Sequence, residues 1–172
     1  LVTAIGTVTA TAIVTELKKT NEYYLIGADI NPENQIATSL DVDEYQVFPY
    51  ASNDDYLDFV LDFCKQHKVD YYYAVLDIEV VKISRARDKF AEIGTKLCMA
   101  NYEYCSTCHF KNSFNEWIRN NVPEVYIKTY QSYDEIKDFP VFIKPVEGVA
   151  SSGCRPVQTM EALKESVSLE AF

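Results

Sequence analysis

The feature that most constrains this chain is a regular alternation of short apolar runs and amphipathic stretches through residues 1–100. Leu1–Ile5 reads as a strand, Gly6-Thr7-Val8-Thr9 as a turn, and Ala10–Lys19 as a helix with Ala12, Ile13 and Leu17 spaced for one face. Tyr23–Ala28 is a second strand, closed by Asp29 and the turn at Asn31-Pro32, and Tyr45–Pro49 a third. Asn53-Asp54-Asp55 then caps a helix running to Gln66, with Leu57, Val60, Leu61 and Cys64 facing inward. Asp70–Leu76 is a fourth strand, Glu79–Ile93 a helix ending at Gly94, and Lys96–Ala100 a fifth strand. Strands separated by helix-length segments cannot pair as hairpins. They predict an α/β fold with a doubly wound parallel sheet.

The pattern changes after Asn101. Tyr102–Cys108 and Asn112–Asn121 read as helices, Tyr126–Tyr130 as a strand, and Tyr133–Lys137 as a short helix. Val141–Lys144 and Arg155–Gln158 read as strands, the first buried, and Met160–Ser168 as a helix capped by Thr159. The change places a domain boundary near residues 101–111, giving a domain over 1–105 and the start of another over 106–172. With 48 % hydrophobic residues in 172, the chain can form one domain and part of a second.

Charge limits the partners. At a net charge of −10 the chain lacks the basic face that nucleic acid requires. No apolar run reaches the ~20 residues of a membrane span. Five cysteines at irregular spacing, without a signal peptide, fit free thiols in a reducing cytoplasm.

Several local patterns carry chemistry. Gly6 lies in the first strand-to-helix turn, but Ala4 and Thr9 stand where a dinucleotide fingerprint would have further glycines. Asp29, at the end of the second strand, is either a ribose-binding acid or an ordinary turn former. Asp77 and Glu79 follow the fourth strand, where two acids line a ligand cleft or one caps the next helix. Cys105-Ser-Thr-Cys108-His109 matches the haem-attachment spacing, but His67 is the only other histidine. The same shortage leaves a zinc site without its fourth ligand.

The sharpest pattern is Phe139-Pro-Val-Phe-Ile-Lys144-Pro145 followed by Gly148-Val-Ala-Ser151-Ser152-Gly153. A lysine leaving an apolar strand is partly desolvated unless an anion neutralises it. A loop of small residues offers backbone N–H groups and hydroxyls to phosphate. The plainer alternative is a hairpin turn with Lys144 paired to an acid such as Glu147.

In this order, after a small α/β domain with Gly6 in its first turn and after Lys111, these pieces resemble the N-terminal portion of the ATP-grasp superfamily. The resemblance is to carboxylate–amine ligases whose first domain is like that of the carbamoyl-phosphate synthase large subunit. It implies a Rossmann-like pre-ATP-grasp domain followed by the start of an α+β ATP-grasp lobe. It implies that Lys111, Lys144, Gly148, Ser151, Ser152 and Gly153 bind ATP, and more loosely that Gly6, Asp77 and Glu79 face the substrate. ATP and Mg²⁺ are then the cofactors, with the metal ligands expected beyond Phe172, so that the 172 residues alone are expected to be inactive. A small carboxylate and an amine are the implied substrates, and a second copy of the chain is a candidate partner. The alternatives are a non-catalytic Rossmann-like module that binds a nucleotide or metabolite at the Gly6 turn, and a protein–protein module.

Overall fold

In a computed structural model of the chain, residues 1–146, 148 and 151–168 are described. They divide into two compact units, Leu1–Ser106 and Thr107–Phe172.

The first unit is the expected parallel sheet. Strands β1 (Val2–Thr3), β2 (Ile26–Asp29) and β3 (Glu44–Val47) pair in parallel in the order β1-β2-β3. Strands β4 (Tyr71–Tyr72) and β5 (Lys96–Leu97) form a second parallel pair. A parallel bridge between Val2 and Tyr73 joins this pair to the three-stranded sheet. The Thr3 N–H donates to the Tyr73 carbonyl at 3.1 Å, and the Tyr73 N–H to the Leu1 carbonyl at 2.9 Å. The strand order is therefore 3-2-1-4-5, which reverses direction between β1 and β4, as in doubly wound folds.

Neighbouring strand residues point to opposite faces, and two cores follow from that. Ile26 and Ala28 pack with Phe48, Val60, Phe63, Cys64, Ile83 and Phe90. Leu25 and Val2 pack with Ile5, Ala10, Val14 and Ile36. The strands are shorter than the apolar runs suggested, because ladder pairing stops where the chain turns toward the helices.

Helix α1 (Val8–Thr20) begins at Thr7, whose Oγ1 accepts the Ala10 N–H at 3.3 Å, and ends at Asn21 in the left-handed region, φ 53°. It buries Ala10 and Val14, with Ile13 and Leu17 partly covered, while Ala12 faces out. Helix α2 (Tyr56–Gln66) buries Tyr56, Val60, Phe63 and Cys64, and Leu57 and Leu61 lie at the edge of the core. The Asp55 side chain makes no capping bond there.

The single helix expected over 79–93 is two: α3 (Asp77–Arg85) and α4 (Arg87–Glu92), broken at Ala86. Past the break, Arg87 turns toward the end of β5. Its Nη atoms donate to the carbonyls of Leu97 (3.3 Å), Met99 (2.7 Å) and Ala100 (2.8 Å). Gly94 closes α4 at φ 86°, as a helix-ending glycine does. Among the described residues no helix is long and apolar enough to cross a membrane.

Helix α5 (Tyr102–His109) carries the division between the units, and α6 (Lys111–Asn121) lies in the second. There β6 (Val141–Ile143) pairs antiparallel with β7 (Arg155–Val157), followed by α7 (Met160–Ser168). The Thr159 hydroxyl accepts the Ala162 N–H at 3.2 Å, as its capping position predicts. Two expectations change. Residues 126–130 join no ladder among the described residues, because their apolar content finds no strand partner there and Ile127 stays 78 % exposed. Strand β6 is not buried: Phe142 is 64 % exposed, since a two-stranded sheet covers only one of its faces.

Candidate functional site

In an open parallel sheet, ligands collect at the carboxyl ends of the strands where the strand order reverses. The first unit has a cleft of about 260 Å³ there, walled by the β1–α1 turn, the end of β2, the segment after β3, and the first turn of α3.

Glu79 forms its floor. It is 1 % exposed, because the first turn of α3 points it beneath β1 and β4. Its Oε2 accepts the Thr3 hydroxyl at 2.8 Å, and its Oε1 accepts the hydroxyls of both Tyr56 and Tyr72. Burying a carboxylate is tolerated only with such a set of donors. Burial, and then the neighbouring Glu79, push the pKa of both tyrosines upward, which keeps them protonated as donors. One turn along α3, Lys82 donates to the carbonyls of Ala51 and Asn53, both at 2.7 Å, and lies 5.8 Å over the Tyr56 ring. The wall after β3 is thus held to α3 from two points.

Asp77 behaves differently from Glu79. It opens α3 exposed to solvent, where a carboxylate favours the helix dipole, and it does not line the cleft. The two acids predicted as a pair are therefore not brought together.

Gly6 lies at the mouth of the cleft, in a turn set up by Ala4 at φ 53°. The Gly6 N–H donates to Asp29 Oδ2 at 2.9 Å. Asp29 Oδ1 accepts the backbone N–H of Asn31 at 3.1 Å and its side-chain amide at 2.9 Å. The carboxylate read as a ribose acid or turn former is thus a turn former, and it is engaged with the glycine turn.

The predicted ATP residues lie in the second unit. Lys111 begins α6, where its backbone N–H donates to the Val146 carbonyl at 3.2 Å and its Nζ to the same oxygen at 3.5 Å. This brings Lys111 to the segment that follows Lys144. Lys144 is exposed and has no hydrogen-bond or ion-pair partner among the described residues, so the expected desolvation is absent. Its alternative partner Glu147 lies outside the described residues. Ser151, Ser152 and Gly153 form an exposed turn closed by the Cys154 N–H on the Ser151 carbonyl at 3.1 Å. Gly153 has φ 72° and Ser151 φ 58° in that turn. Gly148 is exposed as well.

Cys105, Cys108 and His109 lie on α5, with Cys105 Sγ 3.3 Å from the Ala100 carbonyl. Among the described residues no three His, Cys, Asp or Glu side chains gather as a metal site.

Sequence reading missed Thr3, Tyr56, Tyr72, Lys82 and Arg87. Only the position of Tyr72 in an apolar strand and of Tyr56 at a helix start hinted at burial.

The family described as PylC-like, N-terminal domain, matches residues 1–98. No curated protein matches the chain in sequence. The crystal structure of L-amino acid ligase from Bacillus licheniformis is similar in fold. It has a TM-score of 0.67 and 12 % identity over 98 % of this chain and 41 % of that one. The biotin carboxylase domain dimer of Hydrogenobacter thermophilus 2-oxoglutarate carboxylase, solved with MgADP, ADP and bicarbonate, has a TM-score of 0.69 and 15 % identity. That match covers 98 % of this chain and 39 % of the other. The chain therefore spans roughly two fifths of the length of these solved structures.

Proposed function

Since this chain belongs to the PylC-like N-terminal domain family, we propose that it is the N-terminal portion of an ATP-dependent carboxylate–amine ligase. In that reaction a carboxylate oxygen attacks the terminal phosphorus of ATP, giving an acyl phosphate and ADP. The amine nitrogen then attacks the acyl carbon and expels phosphate. Negative charge spread over the transferring phosphoryl oxygens and building on the departing ADP oxygen must be offset by cations and backbone N–H groups.

The observation that carries this reading is the joining of Lys111 to the Lys144 segment through the Val146 carbonyl. It brings Lys111 to the segment that follows Lys144, and the turn Ser151–Gly153 comes later in the same stretch of sequence. This donor set, two ammonium groups with hydroxyls and N–H groups in a small-residue turn, fits phosphate. Lys111, Lys144, Gly148, Ser151, Ser152 and Gly153 are the ATP-binding residues under this proposal. Mg²⁺ would supply further positive charge. Gly6 and Glu79 border the cleft of the first unit and are the proposed substrate-side residues, with Asp77 outside it. A cytoplasmic location and a homodimer belong to the same proposal.

Calorimetric titration of the whole enzyme with ATP·Mg tests it. Lys144→Ala should weaken binding about tenfold or more, as expected on losing a charge-assisted phosphate contact. Unchanged affinity in that variant refutes the assignment.

A further inference from the structure

The β1–α1 turn of an open parallel sheet is where an anionic ligand group is ordinarily received, because helix N–H groups converge there. In this protein that position already holds an anion. Asp29, only 7 % exposed at the end of β2, puts Oδ2 2.9 Å from the Gly6 nitrogen. Its other oxygen is braced by both N–H donors of Asn31. The fit depends on glycine. A Cβ added to Gly6 would stand 3.0 Å from Asp29 Oδ2 and 2.8 Å from Ile36 Cδ1. The turn is shaped around the carboxylate.

The rest of the cleft offers no compensation. Among the described residues no Lys, Arg or His lines it, and the other charged lining residue is the buried Glu79. A phosphate or carboxylate entering would meet two carboxylates in a partly desolvated space, while Lys82, behind the lining residues Ala51 and Tyr56, is already engaged by the Ala51 and Asn53 carbonyls. We infer that Asp29 is the specificity-determining residue of this cleft: it acts as an internal counter-anion for the α1 turn, so that phosphate and carboxylate groups are excluded and an ammonium or neutral polar group is accepted. A substrate's carboxylate end would then be held elsewhere. The inference deepens the substrate side of the ligase reading without depending on the ATP residues.

Amide NMR of the 172-residue chain tests it residue by residue. Inorganic phosphate should leave the Gly6 and Thr7 amides unmoved in the wild type. In Asp29→Ala it should produce saturable shifts at both, corresponding to at least a tenfold gain in affinity at that turn. Asp29→Asn, which keeps the shape and removes the charge, serves if the alanine variant does not fold. In the wild type 1,4-diaminobutane should shift the Gly6 and Asp29 amides, and in Asp29→Asn it should do so at least tenfold more weakly. Saturable phosphate shifts at Gly6 in the wild type, no gain in a folded Asp29 variant, or no response to the diamine would each overturn the inference. Failure of the ligase reading appears separately, as unmoved Lys111 and Gly153 amides when the whole enzyme is given ATP·Mg.

Discussion

Replacing Glu79 with glutamine should destabilise the first unit by about 2 kcal/mol. The carboxylate accepts three hydroxyls from Thr3, Tyr56 and Tyr72. Hydrogen bonds to a charged group contribute about 1.5–3 kcal/mol each, and neutral ones about 0.5–1.5. An amide oxygen can retain the two tyrosine bonds, each weakened by about 1 kcal/mol. The amide nitrogen then faces Thr3 with a second N–H left over, which costs about 1–3 kcal/mol more. Removing the desolvation cost of the carboxylate offsets part of this. The net loss corresponds to a fall in Tm of roughly 10 °C for a unit of this size. Urea unfolding followed by far-UV circular dichroism measures it, while the sole tryptophan, Trp117, reports on the second unit. The diagnostic is a change of sign with background. In Tyr56→Phe/Tyr72→Phe, Glu79 Oε1 has lost both hydroxyls, so Glu79→Gln removes an under-paired buried carboxylate and should be neutral or stabilising. The reasoning fails if Glu79→Gln costs under about 0.5 kcal/mol in the wild type, or costs the same in both backgrounds.

Ala4, held at φ 53°, should gain about 0.5–1 kcal/mol in Ala4→Gly, read as a rise in urea midpoint. Gly27→Ala should lose about 1–3 kcal/mol in the same assay, because its Cβ would stand 2.6 Å from Ile5 Cδ1 and 2.9 Å from Val42 Cγ1. Burial pushes the Cys64 thiol from 9.0 up to about 12. The unfolded chain therefore releases that proton first, and stability, complete below pH 9, should fall by about 1.4 kcal/mol per unit between pH 9 and 12. In Cys64→Ala the slope between pH 9 and 10 should flatten, since Tyr56 and Tyr72 contribute only above their ordinary value of 10.0. Lys82→Met should speed hydrogen exchange in residues 51–56 roughly tenfold by releasing the Ala51 and Asn53 carbonyls.

The parallel sheet was legible because its evidence is local. The first, third and fourth apolar runs are each followed by a helix with a core face, and no hairpin turn joins any two of the strands. The break at Ala86 was not legible, since Ser84-Arg85-Ala86-Arg87 contains no glycine or proline and each residue tolerates a helix. What bends the chain there is the destination of Arg87, three carbonyls near the end of β5. Residues 126–130 had the aromatic and β-branched content of a strand, but pairing needs a neighbour that composition does not reveal. The cleft floor was hidden for a similar reason. Glu79 meets Thr3 across 76 positions and Tyr56 across 23, and no periodicity records such contacts. Gly6 and Asp29 each stand out in the sequence, while the hydrogen bond between them depends on β1 and β2 lying side by side.

The bridge between Val2 and Tyr73 sets an order of events during synthesis. Of the five strands β1–β5, the one made earliest is the central one of the sheet. One of its edges can be satisfied once β2 has emerged, but the other waits for a partner some seventy positions downstream. Until then Val2 and Thr3 present an open edge, the feature through which nascent chains pair wrongly with one another. A chain cut before Tyr73 would keep that edge permanently, so the first unit is an all-or-none purchase: α1, β2 and β3 cannot be taken as a smaller folded piece without β4.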